Sequence, residues 1–303
     1  MNAPRRVSAA SLARTFALGV ALVMVLSGCM IPIPEFRPLT QIDLVEQVET
    51  VDRAGATWAT VRLRLVSEEL VVRAAGDVDL LRGTFRYNVE EWAPKIEQTT
   101  AEGETRVTVG QGLGSQIPLG KGDTYTNRWE IGLAPGIPLD LGVDMGAGEA
   151  SLDLTGLSLR RLAVTSAGTD VSLAFNAPNP EPLGTLRLTG GAGKVVATGL
   201  GNANFDHLTV FGGAGAMDLD FNGAFRRSVV ADIKAGAGSV TIRVPADIGV
   251  RITFSGIPLG QVDTVGLTEQ TENVYVNAAY GEAPLTLTIS LTSGVGAISL
   301  ISQ

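Results

Sequence analysis

The chain has one cysteine and one histidine in 303 residues, and aromatic residues make up only 5% of it. With no second cysteine an intramolecular disulfide is excluded, so stability has to come from core burial and backbone hydrogen bonds. After residue 28 no long apolar run remains, whereas a membrane-spanning helix takes about 20 residues. No stretch holds a 3.6-residue apolar period for more than about two turns. Basic residues are also few, 23 against 31 acidic, and the formal charge is −8. Such a surface repels phosphate backbones and excludes nucleic acid as a natural partner. It also offers no polybasic patch for anionic lipid. What is abundant is glycine, at 37 residues.

The first 28 residues read as a leader. Arg5, Arg6 and Arg14 precede an apolar stretch from Phe16 to Leu26, and Leu26-Ser27-Gly28-Cys29 closes it with small residues. This is the order of a signal peptide, with a hydrophobic segment too short to span a bilayer. The cysteine at the junction resembles the lipobox of bacterial lipoproteins, which implies lipidation at Cys29. Several acyl chains together would anchor firmly, at about 0.8 kcal/mol per buried methylene. The expected location is extracytoplasmic, on the cell membrane or on an outer membrane where the cell has one. Three arginines and no acids leave with residues 1–28, so the remaining 275 residues carry −11.

Residues 29–38 hold three prolines and read as a tether, because proline removes amide donors and biases its neighbours towards extended backbone. Residues 39–122 read as an N-terminal β region. Val61, Leu63 and Leu65 alternate there with Arg62 and Arg64, and Val107 alternates with Val109. Within it, residues 40–53 read as a short helix, residues 97–108 as polar loop running into strand, and Gly110 to Gly122 as a surface loop or junction. A new strand begins at Trp129 and Ile131.

Residues 123–303 carry an internal repeat. Gly146-Ala147-Gly148 recurs as Ser166-Ala167-Gly168, Gly191-Ala192-Gly193, Gly213-Ala214-Gly215 and Gly236-Ala237-Gly238, at intervals of 20, 25, 22 and 23 residues. Short alternating strands follow most triplets, such as Met217-Asp218-Leu219-Asp220-Phe221 and Val240-Thr241-Ile242-Arg243-Val244. A rung of this size cannot bury its own aliphatics, so neighbouring rungs have to cover it. The pattern predicts an all-β, solenoid-like stack of short rungs, a single-stranded β-helix, with a β-sandwich as the alternative.

Motifs for chemistry are weak. Gly212-Gly213-Ala214-Gly215-Ala216-Met217-Asp218 misses the calcium-binding β-roll pattern by one residue, which puts the aspartate on the other strand face. Ser115 to Gly122 lacks the first glycine and the magnesium hydroxyl of a phosphate loop. His207 has no nucleophile elbow to serve, and a zinc site would have to join it to carboxylates alone. Asp153, Asp218, Asp220 and Asp232 would be the acids of a polysaccharide-active β-helix. Arg160, Arg161, Arg226 and Arg227 fall at similar offsets after their triplets and form a candidate binding stripe for an anionic wall polymer.

Leu70-Val71-Val72, Leu80-Leu81-Arg82-Gly83-Thr84-Phe85 and Trp92-Ala93-Pro94-Lys95-Ile96 resemble the N-terminal part of the toast-rack domain. Trp129-Glu130-Ile131-Gly132-Leu133 through Leu152-Asp153-Leu154-Thr155-Gly156-Leu157 are similar to its continuation. Leu285-Thr286-Leu287-Thr288-Ile289 with Gly294-Val295-Gly296 resembles the end of LiaF-like, cell-wall-antibiotic-response domains. The resemblance implies a stacked β fold and no catalytic residues. The expectation is a lipid-anchored, non-catalytic envelope module with no cofactor and no metal. Its partners would be the membrane through Cys29 and another envelope protein or wall polymer. An accessory regulator of an envelope-stress system and a β-helix polysaccharide enzyme are the alternatives.

Overall fold

Apolar and polar residues alternate along most of the chain, which favours strands with one buried face. The computed structural model describes residues 39–66, 69–111, 125–255 and 260–303, and within them the chain forms 19 strands and two short 3-10 turns. The leader, Cys29, the tether, the boundary at residue 122 and the Ser115–Gly122 loop lie outside the described residues.

The first strands are β1 (Gln41–Val51), β2 (Trp58–Leu65), β3 (Glu69–Ala74), β4 (Leu81–Val89), β5 (Lys95–Ala101), β6 (Glu104–Gly110) and β7 (Asn127–Leu133). The repeat supplies β8 (Pro138–Asp153), β9 (Ser158–Ala174), β10 (Leu183–Ala192), β11 (Val195–Thr198), β12 (Phe205–Asp220) and β13 (Val229–Val244). The remainder are β14 (Gly249–Phe254), β15 (Val262–Val265), β16 (Leu267–Thr271), β17 (Val274–Asn277), β18 (Thr286–Val295) and β19 (Ile298–Ser302).

The triplets are the corners of a solenoid. β8, β9, β12 and β13 each run through one, while β10 and β11 are two halves of one rung broken at Gly193 and Lys194. Successive rungs pair in parallel through the corner: Ala147 and Ala192 both lie opposite Gly168, Ala214 lies opposite Ala192, and Ala237 opposite Ala214. Burial parity flips there. In β8, Leu141, Val143 and Met145 point inward before the corner, and Ala150 and Leu152 after it. Each rung thus has two faces that close on one core. Because the repeat strands pair in parallel within each face, the arrangement is a stack of rungs and not an antiparallel sandwich.

Aliphatic ladders fill that core. On the first face Val61, Leu141, Leu162, Leu186, Leu208 and Ala231 stand in consecutive register, all buried. On the second, Val72, Leu152, Leu173, Ala197, Leu219, Ile242 and Leu300 do the same. Each fully buried valine, leucine or isoleucine among them contributes about 1.5–3 kcal/mol.

The ends depart from chain order. β2 and β3 form the rung next to β8, with β6 and β7 beyond them. β18 and β19 slide between β13 and the rung of β14 and β15. Antiparallel strands then close the stack: β5 on β6, β4 on β7 and β1 on β4 at one end, β17 on β14 and β16 on β17 at the other. Two expectations are corrected here. Residues 40–53 form β1 and not a helix, because β4 offers it a long antiparallel partner over Gln41–Val51. The polar segment from residue 97 is part of β5, exposed on a hairpin edge where apolar residues are not needed.

The segment Asn176 to Pro180, an apparent interruption of the repeat, closes one return loop. Asn179 is buried there; its amide donates to the carbonyls of Leu159, Glu181 and Ala203, and its oxygen accepts from the Leu159 amide. Asn277 does the same near the far end, donating to Pro245 and Ile248 and accepting from Val250.

At Gly215 the backbone has φ of 130°, and a β-carbon there would collide with the carbonyl oxygen of Gly193 in the previous rung. We expect Gly215→Ala to cost roughly 2–4 kcal/mol, the sum of positive-φ strain and overpacking. Gly184→Ala, where a β-carbon meets nothing within 4 Å, should change stability by less than about 0.5 kcal/mol. Thermal denaturation followed by circular dichroism separates the two. By the same measurement Asn179→Ala should cost at least about 3 kcal/mol, since several buried backbone groups lose their partner.

Candidate functional site

Side chains that alternate with the aliphatic ladders stand on the outer surface. On the first face one outward row runs Arg106, Thr60, Asp140, Arg161, Thr185 and His207. The row beside it runs Thr108, Arg62, Gly142, Ala163, Arg187 and Thr209. Gly142 and Ala163 are the small members, so the surface sinks between Arg62 and Arg187. The depression is an open groove of about 410 Å³ lined by Trp58, Thr60, Arg62, Glu104, Arg106, Asp140, Arg161, Thr185 and Arg187, with Gly142, Leu141, Leu162 and Ala163 beneath.

Charge in the groove is uneven. Glu104 pairs with Arg106 at 3.0 Å and accepts from the Thr60 hydroxyl at 2.8 Å. Asp140, only 8% exposed, lies 3.7 Å from Arg160 and 3.4 Å from Arg161. A register irregularity between Leu139 and Asp140, where β9 carries Arg160 as one residue more than β8, sets both arginines beside it. Asp140 Oδ1 is buried without a hydrogen-bond partner. Arg160 stacks over the Trp58 ring at 4.7 Å, a contact worth about 0.5–1 kcal/mol at an exposed site. Among the described residues, neither Arg62 nor Arg187 has an acidic partner within ion-pair distance. Four guanidinium groups therefore line the groove against two carboxylates, with Arg160 behind Trp58.

The structure brings Arg160 and Arg161 together on Asp140 and places Arg226 and Arg227 elsewhere. The latter lie in the turn joining β12 to β13, where Arg227 pairs with Asp206 at 2.6 Å and Arg226 is exposed. The row through Arg161 continues to Thr185 and His207, not to Arg226 and Arg227.

The other singled-out residues are engaged separately. His207 is half-exposed with Nε2 3.0 Å from Asp232. Asp218 pairs with Arg243, Asp220 accepts from the Asn222 amide, and Asp153 accepts from the Thr155 amide. Among the described residues no three metal-ligating side chains converge.

Sequence reasoning missed Trp58, Arg62, Arg106, Asp140 and Arg187. Their outward parity was visible, since each arginine alternates with buried aliphatics. The missing signal was the register that sets β2 beside β8 across some 80 residues. Trp58 also offers a direct readout, because the other two tryptophans, Trp92 and Trp129, are fully buried. Iodide, drawn to the cationic groove, should quench one emitting tryptophan in three, and Trp58→Phe should abolish the quenchable fraction. Arg226→Gln should leave it unchanged.

A family model described as the N-terminal domain of toast_rack, DUF2154, matches residues 41–196. None of the curated proteins matches the chain. Among solved structures, the chain is similar to a "putative cell adhesion protein" from Clostridium sporogenes, at 23% identity over 86% of this chain and 100% of that one, with a TM-score of 0.48. It is also similar to a "putative adhesin" from Bacteroides fragilis, at 11% identity over 85% and 96% of the two chains, with a TM-score of 0.36. A third, a "putative adhesin" from Parabacteroides merdae, shares 10% identity over 86% and 96%, with a TM-score of 0.31.

Proposed function

The chain belongs to the toast-rack family, and on that premise we propose that it is a non-catalytic β-solenoid binding module of the cell envelope, held at the extracytoplasmic membrane surface by lipid on Cys29. In this reading the stack presents its first face to another envelope component, a protein or a wall polymer. The observation that carries it is the groove itself. It is open to solvent, built on rungs fixed by a continuous core, and lined by guanidinium groups that exceed their carboxylates. Arginine forks on a rigid sheet suit recognition of anionic groups, and holding them on strands removes much of the ordering cost of binding.

The carboxylates support binding more than hydrolysis. Glu104 and Asp140 each lie within ion-pair distance of an arginine, so neither stands as a free carboxyl group. A glycoside hydrolase needs one carboxyl group kept protonated as the general acid.

The anchor is tested on the protein recovered from cells. Intact mass of the processed chain should show acylated Cys29 as the first residue, and Cys29→Ala should move the protein from the membrane to the soluble fraction. An unmodified Cys29 in the wild-type chain would overturn this part of the reading.

A further inference from the structure

The geometry points to a ligand class for the groove: a saccharide or polyol chain bearing carboxylate or phosphate groups. The inference rests on the binding-module reading and deepens it.

Three observations fit together. First, Arg62 and Arg187 stand on opposite sides of the Gly142–Ala163 floor, three strand spacings or about 14 Å apart at the backbone. A β-carbon at Gly142 would sit 3.6 Å from Arg62 Cγ, so the Arg62 side chain leans over the floor towards Arg187. Both guanidiniums lack an acidic partner among the described residues and offer planar two-pronged donation to a carboxylate or phosphate. Second, Asp140 lines the groove wall: its Oδ1 is enclosed 3.7 Å from Arg160 without a hydrogen bond, and its Oδ2 lies 3.4 Å from Arg161. A carboxylate in the lining accepts and does not donate, so a groove ligand meets it best with a donor such as a hydroxyl. An anion alone offers none and would be repelled by Asp140. Third, the groove has the volume of a small-molecule site, well beyond a single ion.

A ligand that carries negative charge and hydroxyl groups on one chain satisfies all three. The anionic group sits between Arg62 and Arg187, and a neighbouring hydroxyl donates to Asp140. Long polyphosphate backbones satisfy the arginines but offer no donor to Asp140.

The test is titration calorimetry on the full chain in non-ionic detergent, with Trp58 emission as a second readout. The probes are hexagalacturonate, a hexamer of glycerol phosphate, maltohexaose and inorganic phosphate. At least one of the two acidic hexamers should bind and maltohexaose should not; which hexamer binds separates a carboxylate source from a phosphate source. The double variant Arg62→Gln/Arg187→Gln should weaken that binding at least tenfold. Both side chains are exposed, so the fold should survive, and circular dichroism checks it. Gly142→Val, which fills the floor, should weaken binding similarly, while Arg226→Gln should not. Binding of neither hexamer would overturn the inference, as would equal binding of maltohexaose, equal affinity for inorganic phosphate, or binding indifferent to the double variant. These failures leave the anchored-module reading standing if Cys29 is acylated. An unmodified Cys29 leaves the groove result untouched.

Discussion

The stack depends on how closely one corner can approach the next. At the Gly-Ala-Gly triplets the space that a β-carbon would fill on the first glycine is taken by a carbonyl oxygen of the adjoining rung, while Gly168 meets nothing closer than 4.0 Å. Gly191 meets Ala167, Gly213 meets Gly191, Gly236 meets Gly213 and Gly294 meets Gly236; the third residue of the triplet repeats the relation from Gly193 to Thr169 and from Gly238 to Gly215. Small residues are thus required for parallel strands to keep hydrogen-bonding while the chain bends. The same chain of contacts fixes the vertical order: Gly260 meets Gly296, which places the rung of β14 and β15 outside that of β18 and β19.

That close spacing makes the outer surface useful. Because register from β2 to β10 on the first face is continuous from Asp140 onward, outward residues from distant parts of the sequence fall into straight rows. Two small residues in one row open a groove, and arginines in the flanking rungs charge it. The one irregularity on this face, between Leu139 and Asp140, sets Arg160 and Arg161 together beside the Asp140 carboxylate. A bulge in an otherwise regular ladder commonly re-aims a side chain, and here the extra residue is Arg160, which lies over Trp58 at the groove's edge. The closed ends serve the same stability. β1, β5 and β16 cap the rungs with antiparallel partners, and β5 is charged and polar along its length, which discourages edge-to-edge pairing.

Much of this was legible in the sequence. The triplets marked the corners, and alternation marked the rung strands from Ser151 to Val244 with the right residues inward. Where reading failed, a partner outside the segment decided. Residues 40–53 carry enough spaced apolar residues to suggest a helix, yet β4 lies alongside and takes them as a strand. The arginine pairs at 160–161 and 226–227 have similar offsets from their triplets, yet the return loops differ in length. That difference carries Arg226 and Arg227 off the row that Arg161 occupies.

The sequence alone determined the β character, the rung period, the corners and the inward faces, because each follows from backbone geometry and apolar spacing within about 25 residues. Tertiary structure decided the order of the rungs at both ends and the neighbours of β2. It also decided the groove, since Arg62, Asp140 and Arg187 become adjacent only through pairings that skip long stretches of chain. Local patterns set which way a side chain points. Only the packed register sets what stands next to it.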